Sequence, residues 1–152
     1  MDVWQIAQMN VGMARFDLDD PRMAGFMGKL DEINALAEAS PGFVWRLQTE
    51  AGNATDIKVT DNPRYIVNMS IWRDVEALSD FAYRSAHAPI MARRRDWFKP
   101  HAGAYQVLWW VPAGHTPSTE EGLARLAELE ASGPTPKAFN FKHRFPPVDG
   151  AG

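Results

Sequence analysis

Tyr65-Ile66-Val67-Asn68-Met69-Ser70-Ile71-Trp72-Arg73-Asp74-Val75-Glu76-Ala77-Leu78-Ser79-Asp80-Phe81-Ala82 changes its period half-way along. Over 65–72, Tyr65, Val67, Met69 and Ile71 alternate with Ile66, Asn68, Ser70 and Trp72, which is the two-residue period of a strand. Asp74 can then accept the first free N–H groups of a helix, and Val75, Leu78, Phe81 and Ala82 recur at helical spacing, which predicts a helix to about Ala86.

Outward from this unit the same two patterns return. Residues 3–15 alternate as a strand, with Gln5, Ala7, Met9, Val11 and Met13 on one side and Trp4, Ile6, Gln8, Asn10 and Gly12 on the other. Asp19-Asp20-Pro21 is a helix start, since Asp accepts orphan N–H groups and Pro loses nothing at the first position. Met23, Phe26, Met27, Leu30, Ile33 and Leu36 or Ala37 follow at helical spacing until Ser40-Pro41-Gly42. A second strand is predicted over 43–49, with Phe43, Trp45 and Leu47 on one side and Val44, Arg46 and Gln48 on the other. Residues 50–64 carry turn formers and read as a long loop.

Downstream, Pro89 breaks the helix because the residue before a proline disfavours helical angles, and a shorter helix resumes over 89–98. A fourth strand is predicted over 103–111, then a helix from Glu120 to Ala131 capped by Ser118 or Thr119. In the tail, Phe139, Phe141, His143 and Phe145 share one side. Phenylalanines are not left in water, so the tail is read as an arm covering its own sheet or a partner subunit.

The order is strand, helix, strand, strand, helix, strand, then an appended helix and arm. This is an α+β class, the βαββαβ plan of an antiparallel sheet with helices on one face. The 152 residues suit one domain, with a core over 3–112 and the helix and arm over 113–146. Gln8, Asn10, Asn68, Ser70 and Gln106 each fall on the same pleat side as a tryptophan or other apolar neighbour, and none is charged. Such a surface fits either a dimer interface where amides satisfy one another or a cavity where they orient a carbonyl or hydroxyl.

Composition narrows the chemistry. With 16 Lys and Arg against 19 Asp and Glu, the net charge of -3 gives no concentrated basic surface for nucleic acid. The absence of cysteine excludes thiol nucleophiles, thiolate zinc sites and disulfides. No stretch reaches the roughly 18 apolar residues of a membrane span, and no leader pattern opens the chain, so a cytoplasmic protein is expected. Six Trp, eight Phe and seven Met supply bulk for a core or for the walls of a pocket that takes a small hydrophobic molecule.

Tyr83 and His87 lie four apart on the second helix, with Asp80 and Glu76 on the same stripe, an arrangement that can orient and tune an imidazole for acid–base work. The alternative role for His87 is to bond the carbonyls freed at the Pro89 break. Arg94 shares a side with Ile90, Trp97 and Phe98 and is the inward-facing member of the Arg93-Arg94-Arg95 run. No metal-ligand spacing, nucleophile elbow or phosphate loop is present.

Trp72-Arg73 with Leu78, Phe81, Tyr83 and Arg84-Ser85-Ala86-His87, then Arg93-Arg94-Arg95, Trp97-Phe98, Leu108-Trp109-Trp110-Val111-Pro112 and Phe139-Asn140-Phe141, resemble the domain of unknown function 3291 family over nearly the whole chain. That family is similar in plan to the ferredoxin-like, dimeric α/β-barrel superfamily, which includes antibiotic-biosynthesis monooxygenases that work without metal or flavin and haem-binding enzymes. The resemblance implies a homodimer formed through the open sheet face, and a pocket between sheet and helices. The fold supports many chemistries, and the first reading is a cofactor-independent monooxygenase or related small-molecule enzyme in which His87 is the acid or base, Tyr83 and Asn68 orient oxygen atoms, Trp45, Trp72, Trp97 and Phe98 enclose a ring, and Asn10 and Arg94 also contact the substrate. A haem protein, with His87 as axial ligand and Arg94 near a propionate, and a non-catalytic ligand-binding domain are the alternatives.

Overall fold

Residues 3–47, 64–84, 94–99 and 105–147 are described by the computed structural model. Strands β1 (Trp4–Met13), β2 (Phe43–Arg46), β3 (Tyr65–Trp72) and β4 (Gln106–Pro112) form one antiparallel sheet in the order β2-β3-β1-β4. Helix α1 (Ala24–Ala39) lies between β1 and β2 in the chain, α2 (Val75–Arg84) follows β3, a single turn α3 (Arg94–Trp97) precedes β4, and α4 (Thr119–Ser132) follows it. This is the ferredoxin-like α+β plan, with both long pairings on the central strand β1. All of the predicted 50–64 loop but Arg64, and 89–93 of the predicted 89–98 helix, fall outside the described residues, as do 85–86 and 103–104.

The start predicted at Asp19-Asp20-Pro21 is present. The Asp20 carboxylate accepts the Arg22 N–H at 2.8 Å, and Pro21 opens a 3-10 turn (Pro21–Met23) that runs into α1. The Arg22 side chain, bonded to the same carboxylate, holds Asp20 well below the usual carboxylate range, at about 2. At the far end, Gly42 turns the chain with φ +85°, and a Cβ there would lie 2.5 Å from the Ala77 Cβ of α2. Only glycine permits both that angle and that approach.

Pleating sends alternate residues to opposite sides of the sheet, and each side meets different helices. One side packs Ile6, Trp72 and Leu108 with Ala37 of α1 and with Val75, Ala77 and Leu78 at the start of α2. The other packs Ala7, Met9, Val11, Val67, Met69, Ile71, Val107 and Trp109 against Leu126 and Leu129 of α4. Met9, Met69 and Val107 are sealed at 0% exposure within the single chain. The face expected to be open is therefore covered at its centre by the chain's own C-terminal helix.

The approach of α4 depends on Gly122, where a Cβ would fall 2.6 Å from Met9 Cε and 2.8 Å from Met9 Sδ. Ser118 caps the helix by accepting the Glu121 N–H at 3.1 Å, and the Glu121 carboxylate takes the Trp109 indole N–H at 2.9 Å, so α4 is tied to β4 at its start. The tail then returns to the free edge of β4. Phe139 exchanges both backbone hydrogen bonds with Leu108, at 2.8 and 2.9 Å, and is fully buried. Phe141 and Phe145 pack on the same cluster, and the Phe145 carbonyl accepts the Trp110 indole N–H at 2.7 Å. The arm thus covers its own sheet. No helix among the described residues is long and apolar enough to cross a membrane.

Replacing Gly122 by Val forces a branched side chain into the Met9 and Met69 contact. The variant is expected to lose about 1–3 kcal/mol by overpacking, read as a lower urea midpoint.

Candidate functional site

The side facing α1 and α2 is where the uncharged polar residues gather. Register brings them together: Gln8 lies opposite Ser70 on β3, and Asn10 lies between Asn68 on β3 and Gln106 on β4. Gln8 is 3% exposed in the middle of the sheet, where an unpaired amide is costly. Its Nε2 donates to Asn68 Oδ1 at 2.8 Å and to Ser70 Oγ at 2.9 Å. Its Oε1 accepts from Asn10 Nδ2 at 3.1 Å and from Gln106 Nε2 at 3.5 Å. Ser70 Oγ also accepts the Trp72 indole N–H at 2.9 Å.

Between these amides and the helices lies a cavity of about 220 Å³, somewhat smaller than the roughly 300–1,000 Å³ usual for ligand pockets. Phe26, Leu30, Ile33 and Asn34 of α1 form its roof at helical spacing. These residues are only partly buried, although the periodicity predicted a stripe lying on the sheet, because the cavity separates them from it. Trp72 closes one end, stacked on Phe81 at 5.1 Å and meeting Phe43 edge-on at 5.5 Å. Trp97 and Phe98 close the other, each against Phe26, at 5.7 and 5.0 Å. They are held there by backbone bonds from Arg15 to the Trp97 carbonyl and from Lys99 to the Met13 carbonyl.

Donors and acceptors are unevenly spent. Asn68 is the exposed member of the network, and its Oδ1 is taken by Gln8 and Asn10. Its amino group has no partner among the described residues, so Asn68 offers the cavity a donor. With the Gln8 amino group towards Ser70 and Asn68 and its carbonyl towards Asn10 and Gln106, both ends of the buried amide are paired. Lys29 and Arg46 are the charged groups among the described lining residues.

A family model described as Domain of unknown function (DUF3291) matches residues 5–151. The chain belongs to this family. Among solved structures, this DUF3291 chain is similar to SnoaB, a cofactor-independent oxygenase from Streptomyces nogalater. The identity is 17% and the TM-score 0.46, over 74% of this chain and 95% of that one. It is similar also to a protein of unknown function from Nitrosomonas europaea at 15% identity and a TM-score of 0.46, over 76% of this chain and 97% of that one. Comparison with curated proteins found no match.

In this DUF3291 chain Asn10, Asn68, Trp72, Trp97 and Phe98 come together around the cavity. Trp45 does not. A bulge between Phe43 and Trp45 pairs Phe43 with Trp72 and Trp45 with Ile71, so strict alternation fails at Val44. Trp45 therefore packs on the α4 side, while Phe43 and Arg46 turn to the cavity side. Its expected part in enclosing a ring there is corrected accordingly. The backbones of Tyr83 and Arg94 are on α2 and α3, but their side chains, and all of His87, lie outside the described residues. No described lining residue is a His, Cys or Met, and Tyr105 is the described lining residue of a type that can ligate haem iron. Among the described residues no group of His, Cys, Asp or Glu gathers as a metal site.

Sequence reasoning passed over Gln8 as the organiser of the network and Arg46 as a wall residue. An arginine within a short, otherwise apolar strand was the available signal for the second. Ser70→Ala removes the acceptor shared by Gln8 and Trp72 and leaves buried donors unpaired. It is expected to cost about 1–3 kcal/mol, measured by urea denaturation followed through tryptophan fluorescence.

Proposed function

We propose that this protein is a small-molecule enzyme of the cofactor-independent monooxygenase kind, acting on a hydrophobic aromatic substrate in the cavity between sheet and helices. The observation that carries the reading is the amide network on the cavity floor: the Gln8 and Asn68 carbonyls are consumed internally, while the Asn68 amino group has no partner among the described residues and lies beside a cavity walled by Trp72, Trp97 and Phe98. Aromatic walls bind a flat ring, and a preorganised N–H donor stabilises negative charge developing on an oxygen of that ring.

The chemistry suited to such a site starts from a ring CH2 made acidic by a conjugated carbonyl. Loss of one proton gives an enolate whose oxygen accepts a hydrogen bond from Asn68. The electron-rich carbon passes its electrons to molecular oxygen and bonds to it, and the resulting hydroperoxide loses water to leave a ketone. CH2 and O2 thus become C=O and H2O, with carbon oxidised and oxygen reduced. His87 is proposed to move the proton, with Tyr83 beside it on the helix face and Asn10 holding Asn68 in place. The homodimer belongs to the same proposal with one constraint: copies join around α4 or along the β2 edge, because the centre of the sheet and the β4 edge are already covered.

An oxygen electrode with an anthrone-type substrate and no added cofactor tests the reaction. Uptake of one O2 for each ketone formed is expected. Asn68→Ala is expected to lower the rate by roughly 10²-fold, and His87→Ala to abolish turnover with an unchanged circular dichroism spectrum. A substrate that binds without oxygen uptake would instead make this a binding domain. Light scattering should give twice the 17.0 kDa chain mass for the dimer, and a single chain mass would remove it.

A further inference from the structure

The bulge that turns Trp45 away brings Arg46 onto the cavity wall, opposite Ser70. Its side chain is 10% exposed, which is unusual for a guanidinium without a close buried counter-charge. The contact present is Nη2 to Glu38 Oε1 at 3.3 Å, with Glu38 half exposed on α1 and its carboxylate correspondingly screened by water. Arg46 Nε is buried with no hydrogen-bond partner, the one such side-chain atom among the described residues. A guanidinium with one buried N–H unpaired and a single exposed carboxylate partner is incompletely satisfied, which favours an additional anion on the guanidinium from the cavity side.

We propose that Arg46 selects a substrate that carries a carboxylate beside its ring system, and this rests on the reading of the cavity as the substrate site. The charged residues of the described lining, Arg46 and Lys29, are both cationic, and Lys29 has a carboxylate near it only at 3.5 Å, from exposed Glu32. No described lining residue is acidic, and the carboxylates near the two cations, Glu38 and Glu32, are themselves exposed, so a ligand carboxylate competes only with partners screened by water. The planar guanidinium takes a carboxylate in a two-pronged hydrogen bond, and a carboxylate is the smallest such anion for a cavity of about 220 Å³ to hold beside a ring. Arg46 is the diagonal neighbour of Asn68 across β2 and β3, about 7–8 Å away on the same face. A ring can span that gap, with its reacting oxygen at Asn68 and its carboxylate at Arg46. The two polar groups of the site then have separate tasks, one for the charge that develops and one for the charge that is always present.

Calorimetric titration with 2-naphthoate and with its neutral methyl ester tests this on wild-type protein and on Arg46→Met and Arg46→Lys. Wild type is expected to bind the acid roughly tenfold or more tightly than the ester. Arg46→Met should bring the acid to the ester's affinity while leaving the ester within about twofold, a difference that loss of packing alone would not produce. If the Met variant does not fold, Arg46→Lys carries the test and should lose several-fold of the preference. An unchanged preference in the folded variants, or equal affinity of wild type for acid and ester, overturns the role of Arg46 and leaves the cavity as an apolar binding site. Binding of neither probe overturns the carboxylate assignment and the cavity reading together.

Discussion

Gln8 sits on the central strand, almost fully buried, and can be tolerated there because each end of its amide is paired. Its partners lie on three different strands, so the pairing holds only in the observed register, Gln8 against Ser70 and Asn10 between Asn68 and Gln106. A slip of one residue would carry Gln8 into the methionine and tryptophan core on the other side and leave its four hydrogen bonds unmade. The polar cluster thus constrains the sheet, and through the sheet it sets where the helices can rest. The amides and the inner face of α1 line the same cavity, which is the space left between sheet and helix.

The opposite side shows the contrary solution. Its buried residues are apolar, and α4 lies on them closely enough that Gly122 has no room for a side chain. The tail then borders β4 through Phe139, so one edge of the sheet is paired and both faces carry helices. Burying this much apolar area within one chain stabilises a rigid platform, and a rigid platform is what a preorganised hydrogen-bond donor requires. In the plan that the family resembles, a second copy is expected to cover this face. Here the chain supplies its own cover, so any pairing of copies has a different surface to use.

Legibility in the sequence followed locality. The periods of 2 and 3.6 residues placed all four strands, α1, α2 and α4, and the Asp20 and Asp74 caps are where the side chains predicted them, Asp74 accepting the Ala77 N–H at 2.8 Å. The uncharged face was visible as amides recurring at even positions, but whether it met helices or a second sheet was not. That depends on which side of the sheet the crossover connections place α1 and α2, which follows from the handedness of the whole chain path. Trp45 was misplaced because alternation assumes an unbroken pleat. The extra residue at Val44 reverses the facing of Phe43 relative to Trp45 and is stabilised by edge-on packing of Phe43 on Trp72, a contact between distant parts of the chain.

What the sequence determined alone is the element order, the ferredoxin-like plan, the family, and the presence of an uncharged polar set amid aromatic residues. Each of these rests on neighbours within a few positions or on composition. Tertiary structure alone decided that the amides face a cavity, that α4 closes the other face, that Phe43 and Arg46 turn inward while Trp45 turns away, and that Arg46 lies buried with a donor unpaired. These depend on register, bulge and layer order, which are set by contacts between residues tens of positions apart and are therefore invisible to any local period.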